Sequence, residues 1–137
     1  MSKLTLSFEE DYDFTLIGIS CHTKDYRLCW ELNRSLHIDL IRITDLEINK
    51  KNTTSSFSFY EFIDDTNYLD FYLISNLCNS GYLVSEQKKV DFFLMIKGNT
   101  DEYQTKDFID KINSLSLVLT SFKINPESLK SKQNLLF

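Results

Sequence analysis

The sequence predicts an α+β domain: a mainly antiparallel sheet of about five to seven strands, covered by two main helices plus a short C-terminal helix. Several short segments alternate apolar and polar residues between polar turns, and two longer segments repeat apolar residues at helical spacing. A third observation is the run from Val90 to Lys97, in which Val90, Phe92, Leu94 and Ile96 alternate with Asp91, Phe93, Met95 and Lys97. Apolar on both faces at its middle, it reads as a central strand covered on both sides. A slip of one residue would put Asp91 and Lys97 on the wrong side, so this strand fixes its neighbours' register.

Taken in order, Lys3 to Phe8 sets Leu4, Leu6 and Phe8 against Thr5 and Ser7, a half-buried strand ended by Glu9, Glu10, Asp11 and Asp13. Phe14 to Ser20 fits a short strand, although Phe14, Ile17 and Cys21 also have helical spacing. Thr23 is placed to cap a helix over about Lys24 to Leu36, with Tyr26, Cys29, Trp30, Asn33 and Leu36 as its stripe, widened by Leu28 and Leu32. Ile43 to Asn49 reads as a strand with one wet face, and Lys50 to Ser55 as a turn. Phe57 to Phe62 and Tyr68 to Ile74 flank the turn residues Asp64 to Asn67, an antiparallel meander. Asn79 to Gly81 predicts a further hairpin turn into a short strand, Tyr82 to Val84. Asn99 and Glu102 have capping-box spacing for a helix over about Thr100 to Ser114, buried through Phe108, Ile109, Ile112 and Leu115. Leu117 to Ile124 reads as a last strand, and Asn125 before Pro126 as the start of the short C-terminal helix.

With 137 residues and no internal repeat or linker, the chain is expected to form a single domain, residues 1–137. Hydrophobic residues make up 42% and only three Gly and one Pro occur, which excludes a low-complexity chain. The absence of Ala fits an AT-rich bacterial genome. A net charge of −5 argues against a broad grip on phosphate backbones, so nucleic acid is disfavoured as a partner. Cys21, Cys29 and Cys78 are odd in number, no apolar segment follows a basic start, and no apolar run approaches the length needed to span a bilayer. A cytoplasmic protein with reduced thiols and no membrane association is the expectation.

Glu86, Val90 and Asp91 stand at the E, V and D of the motif that names the IPExxxVDY family of small Bacteroidetes proteins. Val84, Ser85 and Phe92 replace that motif's Ile, Pro and Tyr, so the turn at Ser85 lacks its rigid former. Lys24 to Asn33, KDYRLCWELN, and Pro126 to Phe137, PESLKSKQNLLF, also resemble that family. The resemblance implies no established activity.

No catalytic residue, metal ligand set or cofactor site emerges from the residue pattern. Cys21, His22, Cys29 and His37 lack a CxxC, and Cys21 and His22 would point to opposite faces of a strand. Asp11 with Asp13 and Asp64 with Asp65 are expected as solvated turn carboxylates in a chain without a Gly-rich phosphate loop. Glu86 is expected to satisfy turn amides, and Asp91 to end a strand or meet Lys88 or Lys89. Trp30, set among Leu28 and Leu32, is expected in the core; exposed together with Arg27 it would anchor an interface instead. Leu135, Leu136 and Phe137 dock either on their own domain or on another copy. The best-fitting function is a non-enzymatic binding or adaptor module with a protein partner, a homodimer being compatible with the contrast between the acidic Glu9 to Asp13 group and the basic Lys123, Lys130 and Lys132. The alternatives are a small metabolite enzyme using Glu86 and Asp91, and an RNA-associated protein presenting Phe57, Phe59, Tyr60 or Tyr72.

Overall fold

A computed structural model describes residues 14–137. The expected strand at Lys3 to Phe8 and the acidic group Glu9 to Asp13 lie outside the described residues. Eight strands and two α-helices follow in the order β1 (Phe14–Ser20), α1 (Asp25–Leu36), β2 (Ile41–Lys50), β3 (Thr53–Asp64), β4 (Leu69–Ser75), β5 (Leu77–Cys78), β6 (Gly81–Tyr82), β7 (Phe92–Lys97), α2 (Glu102–Asn113) and β8 (Thr120–Ile124). Six strands form one antiparallel sheet ordered β2-β3-β4-β7-β1-β8, and β5 with β6 makes a small ribbon. The α+β architecture is the one the sequence predicts.

The apolar run is an interior strand of the sheet. Phe92 to Ile96 are all buried, and β7 pairs with β4 on one side and β1 on the other. Its alternation divides the core into two layers. Phe92, Leu94 and Ile96 face the helices, among Ile17, Ile19, Leu28, Leu32, Phe71 and Ile112. Phe93 and Met95 face the other way, among Leu16, Phe57, Val84, Val90 and Leu135. The second layer therefore lies under the loop before β7 and the C-terminal tail, where a 3₁₀ turn at Pro126–Ser128 starts on the Asn125 cap. Gly18 permits the close approach there, since a Cβ would stand 2.8 Å from Ile124 Cδ1 and 2.9 Å from Val90 Cγ2.

Among the boundaries that differ from the sequence expectation, four have a local reason. The second helix is capped by Asp101 with Gln104, not Asn99 with Glu102. Both pairs have the same spacing, but Thr100 is held to β1 through Thr15 Oγ1 at 2.8 Å, so the helix starts later. Helix α1 begins after Lys24, which gives no side-chain cap, leaving Thr23 one residue too early. The Lys50 to Ser55 turn shrinks to Lys51 and Asn52, Lys51 taking φ 51° as a two-residue hairpin requires. Leu117 and Val118 seal the end of the helix-side core in a turn, and the last strand starts only at Thr120.

Candidate functional site

Helix α1 directs Leu28, Cys29, Leu32 and Leu36 inward, a narrower stripe than the sequence suggests. Successive residues lie about 100° apart, so Arg27, Trp30 and Arg34 share the outer face. Trp30 is 59% exposed and Tyr26 66%, which corrects the expectation that Trp30 is core. Leu28 and Leu32 are each two positions from Trp30, roughly 200° around the helix, and their burial forces Trp30 outward. The Arg34 guanidinium lies 5.0 Å over the Trp30 ring and bonds Glu31 at 2.9 Å. Arg27 is exposed and its side chain has no partner among the described residues. Arg27 and Trp30 are thus exposed together.

The far end of α1 is locked to β2. His37 closes the helix in the left-handed conformation at φ 58°. Asn33 then brackets Leu40, accepting from its N–H at 2.8 Å and donating to its carbonyl at 3.2 Å. An exposed aromatic on this helix therefore stands on a fixed support.

A groove of about 870 Å³ opens at the first turn of α1, where Ser56 and Ser58 replace apolar residues on the helix side of β3. Arg42 crosses it, bonding Asp45 at 2.9 Å and Asp25 at 3.3 Å, 5.9 Å from the Tyr60 ring. Burial, then nearby Asp25, pushes the Tyr60 hydroxyl up to about 12. Cys21 also lines the groove, where burial and then Asp91 push its thiol up to about 11. Burial and Asp25 do the same to Cys29, whose Sγ contacts the Leu40 carbonyl at 3.5 Å. Both thiols are protonated at neutral pH, the opposite of an activated nucleophile. Among the described residues no cluster of three His, Cys, Asp or Glu could hold a metal ion.

The residues that resemble the family motif do structural work in separate places. Glu86 accepts the Ser131 N–H at 2.7 Å and its hydroxyl at 2.9 Å besides its own N–H, so it serves the C-terminal tail as well as its own turn. Burial opposes the Glu86 charge, but the bonds from Ser131 prevail and hold the carboxyl below its usual range. Val90 is buried among Leu16 and Ile124. Asp91 accepts the Cys21 N–H at 2.8 Å and ties β1 to β7, instead of meeting Lys88 or Lys89. Glu86 and Asp91 therefore engage different segments, and only Asp91 borders the groove.

Asn76, which the sequence reading passed over, organises this loop. Fully buried, it donates to the carbonyls of Gln87 at 2.9 Å and Val90 at 2.8 Å, and accepts the Val84 N–H at 2.8 Å. A lone Asn after a strand reads as a turn residue, so no sequence signal separates it from its exposed neighbours.

The tail docks on its own sheet. Leu135 is fully buried, and the Phe137 ring meets Phe59 and Tyr72 edge-on at 4.8 and 5.3 Å. Lys97 Nζ donates to the Phe137 main-chain oxygen at 2.8 Å. Leu136 and Phe137 keep partial exposure, 37% and 40%. Phe57, Phe59 and Tyr60 are buried and Tyr72 is half-buried, so these aromatics are not open stacking platforms. Among the described residues, no helix is long and apolar enough to cross a membrane. Compared with family models and with curated proteins, the chain matches none.

Proposed function

We propose that this protein is a non-enzymatic binding or adaptor module whose contact surface is the outer face of α1. The observation that carries this is the exposure of Trp30, at 59%, beside Arg27 and Arg34 on a helix whose inner face is fully committed to the core. Trp and Arg are the residues most often found to dominate interface energetics, because they combine large apolar area with directed hydrogen bonding. The protonated thiols and the separation of Glu86 from Asp91 remove support from the enzyme reading. A protein partner with an apolar pocket for Trp30 and an acidic rim for the two arginines fits this face.

Tagged protein in native host lysate at low salt, with and without ribonuclease, tests this. A partner captured by the wild type despite ribonuclease, and lost in an Arg27→Glu, Trp30→Ala variant, supports the proposal. A partner retained by the variant places the surface elsewhere, and capture that disappears with ribonuclease favours the RNA-associated reading.

A further inference from the structure

The sheet has two edges, and they are built differently. Strand β2 is ten residues long, with a break in register between Ile43 and Leu46, and carries Arg42, Asp45, Glu47 and Lys50. Bulges and charges of this kind discourage pairing with another chain. Strand β8 has an unbroken register against β1 and one charged residue, Lys123. Next to it and within it, Leu119 is 67% exposed and Phe122 38%. Among the described residues β8 pairs with β1 alone. The Leu119 N–H points inward to the Ser20 carbonyl at 2.8 Å. Ile19 turns its carbonyl to the Asp91 N–H of the other neighbour, so Ser20, Gly18 and Leu16 face β8 and bond their register partners Thr120, Phe122 and Ile124. Because main-chain groups alternate along a strand, those of Ser121 and Lys123 point outward, free to extend the ladder.

We propose that β8 is a homodimer interface, in which two copies of this chain pair antiparallel about a twofold axis at Phe122 and join their six-stranded sheets. A second copy fits because the strand is self-complementary in that register. Ser121 and Lys123 exchange main-chain bonds across the axis, Phe122 meets its own copy as the non-hydrogen-bonded pair in which side chains come closest, and Thr120 faces Ile124. A register centred one residue later would set Lys123 against its own copy, and like charges directly opposite destabilise a sheet. The twofold contact is isologous and closes after two copies. It does not rest on the reading of α1, which lies over the helix-side core.

Sedimentation over a range of concentrations, with two variants, tests the dimer. Lys123→Pro removes an outward N–H while sparing the inward bonds, a substitution an edge strand tolerates. Phe122→Lys leaves the backbone intact and places two like charges on the axis. Wild type is expected at twice the 16.1 kDa chain mass. Phe122→Lys, and Lys123→Pro where it folds, are expected to raise the dissociation constant at least about a hundredfold, with Trp30→Ala unchanged. A wild-type monomer up to about 1 mM, or a dimer that survives Phe122→Lys, would overturn the proposal.

Discussion

Asn76 makes three side-chain bonds from a site with no solvent access; the Gln87 carbonyl also accepts the Val90 N–H at 3.0 Å, but the Val84 N–H and the Val90 carbonyl depend on Asn76 for their partner. Replacing it with Ala leaves the Val84 N–H and the Val90 carbonyl short of a partner, at a cost of order 3 kcal/mol, since such groups lose about 1–3 kcal/mol each. Chemical denaturation of Asn76→Ala should show that loss, with amide exchange accelerated first between Leu83 and Asp91; an unchanged midpoint would contradict the role given to Asn76. The cysteines offer a second check at this scale. Cys21 and Cys29 are buried with thiols pushed up to about 11, whereas Cys78 is half-buried. An aromatic disulfide reagent at neutral pH should therefore modify Cys78 first, and reach Cys21 and Cys29 only on unfolding. Rapid modification of all three in the native protein would show that the groove is more open than its geometry indicates.

Among the elements, α2 owes its start to a reciprocal pair in which Asp101 accepts from the Gln104 N–H at 2.7 Å and Gln104 accepts from the Asp101 N–H at 3.2 Å. Asp101→Ala should cost about 1 kcal/mol, whereas Asn99→Ala should cost almost nothing, a contrast that thermal melts can resolve. The C-terminal tail is held by Glu86 and by Asn134, whose amide donates to the Leu83 carbonyl at 2.8 Å. A depressed carboxyl contributes stability that is present above its ordinary value of 4.5 and is lost as pH falls through the lower folded value. Tail docking, followed through the Phe137 ring signals, should therefore weaken in acid in the wild type and lose that dependence in Glu86→Gln. The same acid transition in the variant would mean that another group holds the tail.

Much of this was legible at the element level. The double-faced apolar run gave the interior strand, and the turn residues Asp64 to Asn67 gave the β3–β4 hairpin, where Asp64 accepts from both Thr66 and Asn67 N–H groups. Boundaries were less readable because equivalent patterns overlap: two capping pairs share one spacing, and Leu117 and Val118 look like strand residues while closing a helix end. The site was partly legible. Arg27 and Trp30 were identifiable by residue type, but the side Trp30 takes depends on which of its neighbours win the core, a tertiary outcome. Asn76 was silent because its partners come from a loop as many as fourteen residues away.

The whole molecule assigns its surfaces different tasks. One face of the sheet is sealed by α1 and α2, and the other by the loop from Asn76 to Val90 and the tail, so Glu86 and Asp91 act as fasteners of that loop. What remains outward on α1 is an aromatic and basic face on a rigid support. Trp30 is the protein's single tryptophan, so its fluorescence reports that face alone. The measurement that bears most directly on the account is a paired one on Trp30→Ala: unfolding free energy, and capture of the partner bound by the wild type. Stability within about 0.5 kcal/mol of wild type, as for an exposed site, is expected together with loss of capture. A loss of about 3–5 kcal/mol, the cost of truncating a core aromatic, or capture undiminished in a stable variant, would contradict it.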